Sequence, residues 1–266
     1  MRRLLPLTCA LMAGSALSQT TAPAVDPHWE GAVGLVARVS PNYMGAATSA
    51  GHIGLGLFLR YGRFSVTNTG GFVTRRNDDV ERGLTADLVQ RDDLRVSLSL
   101  RTDGGRDAGS DPALSGLPDV RATLRARLAA THKWDKGWRI SAGLSPDLFG
   151  RGGGITADAA LIHEWRLAPS VLASLSAGGT LANRRYMQSY FGITPAQSAA
   201  SGHAAYAARA GLRDLGLGGG LRIDISPEWL GLLGLNTTHL MGSTLDSPLT
   251  KRPSSWGVNG GLAWRF

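Results

Sequence analysis

From residue 29 onward, apolar and polar side chains alternate with a period of two in a series of short segments. The last is the plainest: Trp256, Val258, Leu262, Trp264 and Phe266 occupy one parity, and Gly257, Asn259, Gly261, Ala263 and Arg265 the other. That is the pattern of a strand with one apolar and one polar face. In segment 119–132, Asp119, Arg121, Thr123, Arg125 and Arg127 interleave with Val120, Ala122, Leu124, Ala126 and Leu128, whereas a helix would mix the two sets. Twelve alternating segments are predicted, near 29–40, 52–61, 63–68, 83–90, 94–101, 119–132, 138–148, 155–165, 170–181, 214–225, 229–240 and 255–266. The fold expected from this count is all-β, an antiparallel transmembrane β-barrel over 29–266 with about 12 strands, 10 being the alternative. An even strand number and an apolar outer face are what bacterial outer-membrane barrels require.

The connections alternate too. Those at 61–64, 90–94, 132–138, 165–171 and 225–229 are short, and those at 41–51, 69–82, 102–118, 149–154, 182–213 and 241–254 are mostly longer. Short periplasmic turns and long outer loops produce this asymmetry, which places both termini in the periplasm. Trp134, Trp138, Trp165, Trp229 and Trp264 then fall near the periplasmic end, where amphipathic rings favour the membrane interface.

The start of the chain agrees. Arg2 and Arg3, the apolar stretch 4–17 and the small residues Ala16 and Ser18 around Leu17 form a signal-peptide pattern over 1–18. A periplasmic N-terminal segment, 19–28, would follow. Cys9 lies within the signal, so the exported product would carry no cysteine, which excludes a disulfide framework and Cys-ligated metal. After the signal no run of 18 apolar residues occurs, so no transmembrane helix is expected. Loss of Arg2 and Arg3 takes the net charge from +8 to +6 (8 − 2), and the remaining arginines are scattered rather than gathered in a stripe. Lipid is therefore the expected partner, and no nucleic acid.

Several motifs are similar to those of the MltA-interacting protein (MipA)/OmpV family of outer-membrane proteins. They are Pro41-Asn42-Tyr43-Met44-Gly45, Gly116-Leu117-Pro118-Asp119, Tyr186-Met187-Gln188-Ser189-Tyr190-Phe191-Gly192, Ser201-Gly202, Asp246-Ser247-Pro248 and the terminal aromatic. Met44 and the Gly104-Gly105-Arg106 stretch depart from the family pattern. The resemblance implies a non-enzymatic scaffold that joins a lytic transglycosylase to a peptidoglycan synthase at the periplasmic face. Other members resemble narrow porin-like channels, surface loop receptors or adhesins. Resemblance to outer-membrane proteins also implies that Trp264 and Phe266 form an assembly signal read by the barrel-assembly machinery. Locally, Pro41, Gly45 and Pro248 are turn formers, and Tyr186, Tyr190 and Phe191 are suited to folding the 182–213 loop over the barrel mouth.

With the apolar parity facing lipid, the lumen receives Glu30, Arg38, Arg60, Asp87, Arg95, Arg101, Asp119, Arg121, Arg125, Arg127, Arg139, Asp147, Asp158, Glu164, Arg222 and Asp224. The balance of nine arginines and seven acids predicts paired charges in a narrow interior. The Arg121, Arg125 and Arg127 ladder is the sharpest functional candidate, since a positive wall would favour anions, with Asp158 and Glu164 also assigned to the lumen and structural pairing as the ordinary alternative. A hydrolase would need His239 with Asn236, or Asp78 and Asp79 with His52 or His203, and no spacing enforces either set. The six histidines are dispersed, so neither metal nor cofactor is expected. The Gly216–Gly220 run lacks the setting of a phosphate loop and suits a strand that lets neighbours approach.

Overall fold

A computed structural model of the chain describes residues 28–69 and 82–266. The expected signal sequence, residues 19–27 of the segment after it, and Asp78 and Asp79 lie outside the described residues. Twelve antiparallel strands close into one barrel: β1 (Trp29–Pro41), β2 (Ser49–Tyr61), β3 (Phe64–Thr67), β4 (Gly83–Gln90), β5 (Leu94–Asp103), β6 (Thr123–Trp134), β7 (Trp138–Pro146), β8 (Ile155–Ala168), β9 (Val171–Ala182), β10 (Gly211–Asp224), β11 (Trp229–Leu240) and β12 (Ser254–Arg265). Each strand pairs with its chain neighbours, and β1 pairs with β12 from Ala32↔Arg265 to Val39↔Val258. Closure gives every strand a neighbour on each side, the condition for backbone polar groups to sit at membrane depth, although β3 pairs with β2 only from Phe58↔Thr67 to Tyr61↔Phe64.

The parity read from the sequence holds along the strands. Within β6, Thr123, Arg125, Arg127, Ala129 and Thr131 are buried, while Leu128, Ala130 and His132 are exposed. Outward apolar residues such as Ile53, 81% exposed, and Leu55, 72% exposed, would be untenable in water and form the lipid face. At the short-turn end, His163 stacks between Trp138 (4.4 Å) and Trp165 (5.4 Å), and Trp264 stacks on Phe266 (5.3 Å). These rings form the periplasmic aromatic belt.

Two sequence expectations require correction. The sixth strand begins at Thr123 rather than 119, because Val120 is taken by Arg106: each backbone N–H donates to the other's carbonyl, at 2.9 and 3.0 Å. The 182–213 connection is not all loop, since it holds α1 (Arg184–Phe191) and α2 (Pro195–Ser201). Their start signals were present in the chain. Asn183 caps α1 through Tyr186 N–H, and Thr194 with Gln197 forms a capping box on α2 with Pro195 in its first turn. The Gly216–Gly220 run lies inside β10.

The seam is sealed by the chain terminus. Phe266 N–H donates to Gly31 O and Gly31 N–H to Phe266 O, both at 3.0 Å. The Phe266 ring covers Gly31 so closely that a Cβ there would sit 2.3 Å from it. The ring is 55% exposed, so its loss costs a finished barrel only about 1 kcal/mol. For Phe266→Ala we expect assembly yield in cells to fall well before the unfolding midpoint of the assembled protein moves. The heat-dependent band shift on a denaturing gel measures both, and an unchanged yield would remove the terminal residue's assembly role.

Candidate functional site

The family-type motifs, far apart in sequence, converge at the long-loop end. Tyr43 OH donates to Leu249 O at 3.0 Å, and Ser247 Oγ donates to Phe191 O at 2.6 Å. The backbone N–H groups of Lys251 and Arg252 both donate to Gly45 O. Gln188 accepts from Ala208 N–H at 3.1 Å, and Pro248 lies in the turn between Ser247 and the buried Leu249. Two apolar clusters result. One joins Val120, Ala182, Tyr186, Met187, Tyr190, Phe191, Ala208 and Leu240, and the other joins Tyr43, Ala46, Leu114, Leu117, Ile193 and Leu249. Burial of this much apolar side chain at the mouth makes the loops a packed lid. Gly192 closes α1 as its C-cap, and Asp119 holds the lid's lower loop by accepting from Ala108 N–H at 2.8 Å.

Where the lid meets the lumen, Tyr186 lies between two guanidinium groups, Arg125 at 5.5 Å and Arg213 at 5.2 Å from its ring centroid. Arg213 Nη1 also donates to the Tyr186 hydroxyl at 2.8 Å. Tyr190 OH donates to Asp103 Oδ1 at 3.3 Å, while Arg106 Nη1 donates to Tyr190 O at 2.7 Å. Burial pushes the Tyr190 and Tyr186 hydroxyls up, and with the nearby Asp111 charge it pushes Tyr43 up to about 12, so all three stay protonated, Tyr43 and Tyr190 as donors and Tyr186 as the acceptor from Arg213. Arg106 and Asp103 were not singled out from the sequence. Arg106 belongs to the stretch that departs from the family pattern, and Asp103 lies two residues past the expected end of its strand; extending that strand's parity would have placed it in the lumen.

Below the lid, the charges pair across strands. Arg125 Nε donates to Asp103 Oδ2 at 2.6 Å, and its Nη1 and Nη2 donate to Ser145 O and Gly153 O. Arg127 forks onto both oxygens of Asp158, Arg139 pairs with Glu164, and Arg95 Nε donates to Asp87 at 2.8 Å. Arg121 does not extend the ladder: it lies before β6 and is exposed, as a consequence of the later strand start. Asp119 and Asp147 likewise lie outside the strands. Near the periplasmic end of the lumen, Ala32, Phe58, Leu230 and Ala263 form a buried apolar cluster on the neighbouring strands β1, β2, β11 and β12, with Arg60 over the Phe58 ring at 5.5 Å. Phe58 sits on the polar parity of β2, a signal readable in the sequence but not drawn from it.

Two acids tie the outer connections to the wall. Burial pushes the Asp147 carboxyl up, but hydrogen bonds from Thr123 and from the Gly153, Phe149 and Gly150 amides outweigh it and hold the group below its ordinary value of 3.8. Asp111 is lowered chiefly by Thr48, then by the Ala113 amide and Asn42, against a smaller opposing effect of burial. A depressed carboxyl contributes stability that is present above its unfolded value and lost as pH falls through the folded one. The outer loops are therefore expected to stay anchored at pH 5 and to loosen only below about pH 3.8. Pepsin cleavage of the loops against pH measures this, and Asp147→Asn should flatten the profile for the 147–154 connection.

For hydrolysis, His239 Nδ1 lies 2.7 Å from Ser254 Oγ, both exposed. Among the described residues no hydrogen bond to His239 Nε2 orients the ring, and Asn236 takes the opposite, lumen-facing parity. Among the described residues no group of three His, Asp or Glu side chains is placed to hold a metal ion.

A closed twelve-strand barrel with an apolar outer face, an ion-paired lumen and a mouth roofed by its own loops defines an integral protein of the outer membrane. The sequence profile of the family described as MltA-interacting protein MipA matches residues 33–266, and the chain belongs to that family. Similar solved structures include an outer-membrane channel from Pseudomonas putida F1, with 9% identity, covering 95% of this chain and 100% of that one at a TM-score of 0.44. The NanC porin has 6% identity, 88% and 98% coverage and a TM-score of 0.41. OmpT of Vibrio cholerae has 8% identity, 90% and 97% coverage and a TM-score of 0.41. No curated protein matches the chain.

Proposed function

We propose that this barrel is a non-conducting scaffold that docks cell-wall enzymes, a lytic transglycosylase and a peptidoglycan synthase, at its periplasmic face. The observation that carries the reading is the packed periplasmic half of the interior, below a cavity of about 780 Å³ that opens in the outer half beside Arg38, His52 and Asn236. Side chains lining an aqueous channel would be wet, whereas lumen-facing Phe58, Arg60, Asp87, Arg95, Ser97, Thr131 and Arg222 are all buried. Together with the lid, this packing favours a plugged barrel over an open diffusion pore. The family's description names an interaction with MltA, which supports an enzyme partner of the kind that the family resemblance implies. Docking would use the short turns, among them Lys133–Gly137 with exposed Lys136, and Pro227–Glu228, together with residues 19–28. A stable interface buries over about 1,000 Å² in total, so the partner must span several turns.

The test pairs two measurements on the purified protein. A detergent pull-down should recover the transglycosylase or the synthase, and reconstitution into planar bilayers should give no discrete conductance. Failure to recover either enzyme where a positive control succeeds sinks the scaffold reading. Regular conductance steps would replace it with the porin-like one.

A further inference from the structure

A cavity of about 240 Å³ opens at the surface of the lid, between the 104–122 connection, Arg151, α1 and α2. We propose that it binds an acidic monosaccharide, a free solute of one sugar ring bearing a phosphate or carboxylate, with Arg106 as the partner of the anionic group. This goes beyond the scaffold reading and does not depend on it.

The first support is a buried cation that lacks a counter-ion. Arg106 lines the cavity and is only 7% exposed. Its backbone is pinned to Val120 by two hydrogen bonds, and its Nη1 donates to Tyr190 O at 2.7 Å. Among the described residues its Nε meets no acceptor and its guanidinium forms no ion pair. Burial holds the group below its ordinary value, with Tyr190, Tyr43 and Asp119 opposing the shift. Of those three only Asp119 is charged at neutral pH, and it is exposed and accepts from Ala108 N–H instead. A buried charge without a partner is costly, and an oxyanion in the cavity would supply both the missing charge and an acceptor for the edge of the fork that Nη1 leaves over.

The second support is the rest of the lining. Arg151 adds a second, exposed cation, and Ser189, Thr194 and Gln197 add two hydroxyls and an amide. The capping box of α2 engages Gln197 Oε1 with Thr194 N–H at 2.8 Å, which leaves the amide nitrogen to donate to a ligand. Such groups, with Asp119 as an acceptor, match the hydroxyls of a sugar. The volume lies below the roughly 300 to 1,000 Å³ of pockets for drug-sized ligands, which limits the occupant to about one ring. None of the described lining residues belongs to a strand of the barrel wall, so the cavity faces the mouth rather than the lipid.

Glucose 1-phosphate, glucuronate and uncharged glucose are titrated calorimetrically into the purified barrel in maltoside at low ionic strength. Saturable one-site binding of at least one acid is expected, with glucose at least tenfold weaker. Arg106→Gln should weaken the acid about tenfold or more, as loss of a charge-assisted contact requires, and added salt should weaken it too. Arg91→Gln, in the exposed turn between β4 and β5, should bind as the parent does. The heat-dependent band shift reports folding of each variant. If Arg106→Gln fails to fold, Arg151→Gln takes its place with the same expected direction. Failure of both acids to bind, glucose binding as tightly as they do, indifference to the pocket substitution, or equal loss in Arg91→Gln would overturn the site. A lipopolysaccharide headgroup carries the same sugar-phosphate chemistry, and lipopolysaccharide that blocks the cavity and cannot be displaced by the acids would overturn the free-solute assignment.

Discussion

Arg125→Leu destabilises the folded barrel by about 3 to 5 kcal/mol, the cost of breaking a buried ion pair from one side. The side chain is 4% exposed and spends every arm of its guanidinium: Nε on Asp103, Nη1 on Ser145 O and Nη2 on Gly153 O. Leucine leaves the Asp103 carboxylate facing the lumen without its main partner and removes the cation that lies against the Tyr186 ring. The damage therefore spreads from the wall to the lid. From the sequence alone the leucine variant is expected to be mild unless it strands Asp158 or Asp147. The exception applies, but the partner is Asp103, because Asp158 is held by Arg127. Arg125→Lys should fall between parent and leucine variant, since an ammonium keeps the charge and loses the fork. Denaturant unfolding in detergent measures the series, and a leucine variant within 1 kcal/mol of the parent, a bound far below the buried-pair cost, would show that the pair is not structural.

Leu128→Arg carries the second large effect, about 2 to 4 kcal/mol, the range for arginine on the lipid face near the midplane of a barrel. Leu128 stands mid-strand in β6, 51% exposed, opposite the outward-facing Leu98 and Leu144 of its two neighbours. The sequence reading puts Leu124 near the middle of this strand, but the strand starts at Thr123, so Leu124 is its second residue and lies towards the outer rim. Leu124→Arg should therefore cost only about 0 to 1 kcal/mol, because the penalty fades near the interface. Equal penalties at the two positions would mean that the strand is shifted along the membrane normal. A tolerated Leu128→Arg would mean that the parity is inverted.

The chain by itself determined the strand number, the face each strand shows to lipid, the division into short turns and long connections, and the aromatic belt. All of these are local: a period of two, a turn residue or a tryptophan keeps its meaning whatever lies across the barrel. Charge partnership was not local. Arg127 on β6 reaches Asp158 on β8 by passing over β7 at Gly143, where a Cβ would lie 2.3 Å from its guanidinium carbon. Which glycine stands between which charges depends on strand stagger, and single-strand alternation carries no record of stagger. The lid shows the same division. Tyr43, Ser247, Tyr186 and Phe191 were visible as motifs, but only the closed barrel brings four distant connections to one mouth. There the burial of aromatic rings, rather than any sequence neighbour, decides what each residue touches.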